Sequence, residues 1–242
     1  VAANTFQIQG RTVELPCVVR DASSANATYL VSAGAARRLL PGDAIDVVEL
    51  LPGRALMSLA VIEYRDNDLG DYNEISMAFF VRERAERAGY LRTLRDLMTS
   101  NLRTYIHRLP VTQAFTCEAG CRIWGFPKTL GEIEIRRDSK GFHCSFDADG
   151  QHVLDFSMAR TEGSRELPEM TTKTYTYIEG AAHRTPFVMA GSEVALQLGG
   201  AKLELGDHPI ADELRSLGLP KRPLMSTFMG KMTGRFEAPE KL

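Results

Sequence analysis

Turn signals cut this chain into short pieces, and between them the apolar residues repeat every second position. Glu132-Ile133-Glu134-Ile135-Arg136 alternates as a strand with one buried face should. Asp138-Ser139-Lys140-Gly141 reads as a hairpin turn into residues 142–146, and 147–150 as a second turn into 153–159. Val13, Leu15, Cys17 and Val19 share a face within an opening strand or strand pair over 6–20. Further strands are expected over 28–31, 45–50, 75–81, 103–107, 111–117, 171–178, 188–199, 201–205 and 224–236. The long apolar run 55–64 reads as a strand buried on both faces. Residues 21–26 read as a polar turn and 65–72 as a polar loop. Helical signals are fewer. Ser32 caps a short helix that Pro41-Gly42 stops, and Ile210, Leu214 and Leu217 share a face over 209–217. Leu91, Leu94 and Met98 stand at helical spacing in the Arg-rich stretch 82–100, read as a solvated helix, or else a lid or subunit contact. The fold class is therefore α+β, mainly β: a barrel or sandwich with a few peripheral helices.

With 44% hydrophobic and 25% charged residues, the 242-residue chain can bury its own core. A formal net charge of -2 argues against general nucleic-acid or membrane-surface binding. No run approaches the ~18 apolar residues that span a bilayer. The first residues show no charged segment followed by an apolar run, so no signal peptide is expected. Cys17, Cys117, Cys121 and Cys144 are few and scattered, as expected of free thiols in a cytoplasmic protein. Cys117 and Cys121 with five scattered histidines do not make metal-ligand spacing, so neither metal nor other cofactor is expected.

The chemistry concentrates in Glu118-Ala119-Gly120-Cys121-Arg122-Ile123-Trp124-Gly125-Phe126-Pro127-Lys128-Thr129-Leu130-Gly131, which gathers the only tryptophan and three glycines around one lysine. Pro127 fixes its own φ and pushes Phe126 out of the α region, and Gly125 permits a tight turn. The expectation is a stiff apolar turn that buries Lys128 and, by desolvation, lowers its pKa. The spacing alone also fits an ordinary surface lysine after a turn. The difference matters because a free lysine is neutral in only about one molecule in 2,500 at pH 7.

The run from Ala119 to Lys128, A-G-x-x-I-W-G-F-P-K, resembles the active-site segment of the acetoacetate decarboxylase family. Leu69-Gly70-Asp71-Tyr72-Asn73-Glu74 resembles that family's second segment, and Tyr105-Ile106-His107 also fits. The resemblance runs from about Arg11 to the C-terminus. It implies an acetoacetate decarboxylase-like antiparallel β-barrel of double-psi or cone-like form, one domain over residues 1–242, with 82–101 a helical insertion. It implies that Lys128 forms a Schiff base with a small-molecule keto acid or related carbonyl compound, that Glu74 lies in the active site, and that the protein is a homo-oligomer. The mechanism comes from the resemblance, since acetoacetate decarboxylase is itself the standard example of a lysine activated in this way. Tyr72, Trp124 and Phe126 are expected to line the substrate site. Arg11 (or, one residue on, Thr12, with Arg20 the fallback) is expected to hold the substrate's carboxylate.

Three positions depart from the family pattern. Thr129 stands where a second lysine would follow the nucleophile. Leu59 stands where another glutamate would, with Glu63 a possible substitute. The arginine position is ambiguous. The leading expectation is a lyase, decarboxylating a β-keto acid or carrying out aldol and dehydration chemistry on pyruvate. The alternative, prompted by Leu59 and Thr129, is a pocket that binds an apolar or carbonyl ligand without turning it over.

Overall fold

The computed structural model describes residues 4–86, 103–139, 141–159 and 162–242. Its centre is a barrel of seven strands. They are β3 (Cys17–Ser32), β6 (Arg54–Asn67), β7 (Tyr72–Glu83), β8 (Arg103–Val111), β13 (Arg165–Ile178), β14 (Ala181–Leu198) and β16 (Met225–Phe236). They close in the order β7-β6-β3-β16-β14-β13-β8, and β8 pairs back to β7. Six seams are antiparallel, as expected; β8 runs parallel to β13.

Alternation does the sorting. Along β3, Ala25, Ala27, Tyr29 and Val31 point outward into an apolar core, while Ser24 and Asn26 point into the lumen. The stretch 21–26 is thus no turn. It pairs with β6 on one side and β16 on the other, and the Asp21 carboxylate is held by Arg65 at 2.7 Å. Pairing on both flanks overrides the local turn chemistry of Asp, Ser and Asn. The run 55–64 is buried on both faces as expected. Met57, Leu59 and Val61 enter the outer core, and Ile62 and Tyr64 enter the lumen. The loop expected from residue 65 begins only after Asn67.

A second antiparallel sheet covers the outer wall. It consists of β10 (Glu132–Asp138), β11 (Gly141–Ala148), β12 (Gln151–Met158) and β15 (Ala201–Leu205), in the order β10-β11-β12-β15. Its Phe142, Phe146, Phe156 and Leu203 pack on Met57, Leu59 and Phe79 of the barrel. Ser32 caps α1 (Ala33–Arg38) as expected. The helix Pro209–Ser216 also forms as expected; Glu213 on it receives Arg108 through both carboxylate oxygens at 2.8 Å. Short strands complete the frame: β1 (Thr5–Ile8) with β2 (Arg11–Glu14), β4 (Ile45–Val47), β5 (Glu49–Leu51), β9 (Lys128–Leu130) and β17 (Glu240–Lys241). The opening strand pair and the strand over 45–50 are thereby found, the latter split in two.

The expected strand over 111–117 is wrong. β8 ends at Val111, and Ala114–Trp124 is a helix, α2, leaving Pro209–Ser216 as α3. The Gln113 side chain caps its start by accepting the Thr116 N–H at 3.2 Å. Its buried residues, Phe115, Thr116, Ala119, Gly120, Ile123 and Trp124, recur at helical spacing. Of the helix expected over 82–100, Arg82 and Glu83 belong instead to β7; residues 87–102 lie outside the described residues. No described helix is long and apolar enough to cross a membrane.

Candidate active site

Lys128 is delivered to the lumen by a helix end. Gly125, with φ +66°, caps α2 in the left-handed conformation; a side chain there would meet Ile178 and the Tyr177 carbonyl. Pro127 follows, and the Lys128 N–H donates back to the Phe126 carbonyl at 2.8 Å. β9 then pairs parallel to β8, with Lys128 opposite Leu109. Trp124 is pinned at both ends: its ring N–H donates to the Glu237 carbonyl at 2.8 Å, and its own carbonyl accepts from Thr176 at 2.6 Å. Phe126 stacks on it at 5.7 Å. Gly120 is required by contact. A Cβ at that position would lie 2.6 Å from Lys128 Cδ and 2.7 Å from Cε, so the lysine stem occupies the space a side chain would take.

The amine is buried, with 4% of the side chain exposed. Nζ lies 2.9 Å from Glu74 Oε2, donates to Thr116 Oγ1 at 3.1 Å, and reaches the Tyr72 hydroxyl at 3.4 Å. All three ammonium protons thereby have acceptors. Tyr64 donates to the other Glu74 oxygen at 3.4 Å and stacks on Tyr72 at 4.5 Å. Burial pushes both phenols up, Tyr72 to about 12, so both remain neutral donors.

The charge state of the amine corrects the expectation from sequence. Desolvation does push the Lys128 pKa down, but the Glu74 carboxylate and the Tyr72 hydroxyl push harder the other way. The resting amine is an ammonium held above its ordinary range, not a depressed one.

The cavity beside the lysine measures about 230 Å³ and draws lining residues from all seven barrel strands; it is the barrel lumen. Of the residues expected at the site, it brings together Lys128, Glu74, Tyr72, Trp124 and Phe126. Arg11 is elsewhere: it is exposed, does not line the cavity, and stacks over the Phe115 ring of α2 at 4.0 Å. Thr12 is also exposed, and Arg20 is exposed in ion pairs with Asp66 and Asp68. Glu63 pairs with Arg65 outside the cavity. Leu59 lies in the outer core and Thr129 is exposed, so neither departure that prompted a binding-only pocket faces the lumen. Thr116 and Tyr64 were missed. Tyr64 carried a period-two signal within β6; Thr116 was hidden by the mistaken strand. Among the described residues, no group of histidine, cysteine and carboxylate side chains could hold a metal ion. The four cysteines are free.

A buried amine hydrogen-bonded to a carboxylate can pass it a proton without solvent and attack a carbonyl. The comparisons bear on whether known proteins share this frame. The family model of acetoacetate decarboxylase matches residues 8–236. The solved acetoacetate decarboxylase of Legionella pneumophila subsp. pneumophila str. Philadelphia 1 is 15% identical with a TM-score of 0.68, over 94% of this chain and 87% of that one. The enduracididine biosynthesis enzyme MppR complexed with pyruvate is 15% identical with a TM-score of 0.63, over 95% and 91%. An acetoacetate decarboxylase-like enzyme from Sphingomonas wittichii RW1 is 12% identical with a TM-score of 0.58, over the whole of both chains. At such identities the likeness is one of fold. No curated protein sequence matches.

Proposed function

The chain belongs to the acetoacetate decarboxylase family, and from that premise we propose that it is a lyase that captures a keto acid, or a related ketone, as a Schiff base on Lys128. One observation carries the reading: a buried lysine amine on the lumen wall, bonded to a single carboxylate and two neutral hydroxyls.

The resting pair is Lys128 ammonium and Glu74 carboxylate. Entry of a carbonyl compound displaces water, and in the drier lumen the charge-separated pair loses its advantage over the neutral one. The proton moves across 2.9 Å to Glu74. The free amine attacks the carbonyl carbon and forms the C–N bond. Glu74 returns its proton to the carbinolamine oxygen, which leaves as water and gives the iminium. With a β-keto acid, the electron pair of the C–CO₂ bond flows into the iminium, carbon dioxide departs and an enamine remains. A proton to its carbon and water across the C=N bond release the ketone and restore the amine. With pyruvate, loss of a methyl proton gives the enamine for aldol-type bond formation. The pyruvate bound by MppR, of similar fold, keeps this second reaction in view. Thr116 and Tyr72 hold Nζ in line throughout.

Intact-mass measurement after cyanoborohydride treatment tests the reading, with acetoacetate, pyruvate and a blank. Wild type should gain the mass of a reduced imine and Lys128→Ala should not. An equal adduct, or full turnover, in folded Lys128→Ala would sink it.

A further inference from the structure

Beyond the lysine, the lumen sets neutral hydrogen-bonding groups among apolar side chains such as Ile106, Phe187 and Met189. Thr104 of β8, Thr174 of β13 and Thr185 of β14 are direct register partners across three adjacent strands, so their side chains form one row on one face. Thr104 and Thr174 line the cavity. Thr185 closes the row, fully buried, and its hydroxyl has no partner among the described residues. On the facing wall, Asn26 and Ser76 also line the cavity, joined through Ala60 in the register of β3, β6 and β7.

A barrel interior that only needs filling uses branched apolar side chains. Hydroxyls turned into a half-buried lumen lose part of their hydrogen bonding to water, and something must replace it. The row lies far from the chemistry: Thr104 is five residues along β8 from Leu109, the partner of Lys128, or about 17 Å of strand rise. The cavity of about 230 Å³ has room for roughly eight waters at their liquid share of ~30 Å³, more than a four-carbon acid fills. Charge narrows the choice. Lys128 and Glu74 are the only charged residues lining this cavity among those described, and they engage each other. A carboxylate at the threonine row would meet no free cation among the described lining residues.

We propose that the carbonyl compound taken by Lys128 carries a neutral, hydroxylated chain that lies along the lumen and ends at Thr104 and Thr174, the lumen-lining members of the row. This rests on the Schiff-base reading but concerns the end of the substrate that does not react. Each threonine hydroxyl both donates and accepts, so the row matches alcohol groups whichever way they turn.

The test compares straight-chain 2-ketones of six to nine carbons that differ only at the far end: methyl, hydroxyl or carboxylate. Each is scored on wild type, Thr174→Val and Thr104→Val/Thr174→Val by cyanoborohydride adduct yield and by thermal protection without reductant. At the best chain length, the hydroxyketone should be favoured over the methyl ketone by about tenfold, the worth of one net hydrogen bond. The carboxylate should be the poorest, and the hydroxyl-to-methyl ratio should fall toward one in the valine variants. Equal capture of hydroxyl and methyl ends, a preference for the carboxylate, or a ratio unmoved by Thr104→Val/Thr174→Val would overturn the proposal. Hydroxyl-selective thermal protection without any adduct would uphold the row's specificity while removing the Schiff-base reading. Adducts without hydroxyl selectivity would do the reverse.

Discussion

The barrel wall separates two interiors of different make-up. Outside it, Phe142, Phe146, Phe156 and Leu203 meet Met57, Leu59 and Phe79, and the large core residues are nearly all hydrocarbon. Inside it, an ammonium, a carboxylate, two phenols and a row of hydroxyls stand among apolar side chains. The same strands serve both, and only the parity of a residue decides which interior it enters. Burial of hydrocarbon lowers the free energy of the fold; burial of charge raises it unless every group is paired. The outer core thus holds the barrel closed while the inner one carries groups that stability alone would not select.

Paired replacements break the comparison most sharply. Lys128→Met with Glu74→Leu should abolish turnover, by at least about 10⁴-fold. It should leave the fold as stable as before or up to about 4 kcal/mol more stable, since an apolar pair replaces a buried ion pair. Phe156→Ala, fully buried on the other side of the wall, should cost about 3–5 kcal/mol while ketone capture persists below the lowered melting temperature. Chemical denaturation and adduct yield, measured on both variants, decide whether the two interiors divide their tasks in this way.

Glu74→Gln sharpens the inner half. In wild type the carboxylate raises the Lys128 pKa, so adduct formation should climb with pH into the strongly alkaline range. With glutamine there, the charge that opposes desolvation is gone, only the Tyr72 hydroxyl still holds the ammonium, and the amine's pKa falls. The rise should then move to lower pH, while turnover falls about 10²–10⁴-fold for want of the proton carrier. A pH profile that stays in place would show that Glu74 does not set the amine's charge.

Gly120→Ala probes how closely the lumen fits its lysine. The new methyl would meet Cδ at 2.6 Å, so the stem must shift. A loss of about 1–3 kcal/mol and a capture rate down by roughly 10²-fold are expected, from stopped-time trapping and denaturation.

The smallest effect lies outside the barrel. Glu213 is pushed up by burial but pulled further down by Arg108 and His107, to about 2. A carboxyl depressed in the folded state adds stability that is whole above its ordinary value near 4.5 and lost as pH falls toward 2. Glu213→Gln should lower the melting temperature modestly at neutral pH and flatten its fall across that window. An unchanged acid limb would show that this ion pair on the protein's rim contributes nothing.

Much of this was legible in the residues. Period-two alternation in 132–136 and the doubly buried run 55–64 were enough for a mainly β frame. The segments around Lys128 and Glu74 marked a pair that the fold brings within 2.9 Å. Three things were not legible, each for a physical reason. Helix α2 hid behind Thr, Cys and a mid-helix glycine, poor helix formers whose placement is decided by tertiary contact with the lysine stem. Arg11 falls outside the cavity because it lies on the short β1–β2 hairpin, over Phe115 of α2. The amine's charge depended on which force prevails between burial and a neighbour 54 positions away in the chain, and no local pattern encodes that contest.

The place of β16 in the barrel has a consequence for how a cell makes the protein. This strand, residues 225–236, lies between β14 and β3, and β3 is complete by residue 32. On the ribosome, one edge of β3 must therefore wait for its partner through almost 200 further residues, about 10–40 s at ordinary rates of synthesis. Throughout that interval the nascent chain has an open sheet and no lumen. An open edge can add strands from other chains, so the tempo of translation bears on how much folded protein a cell obtains.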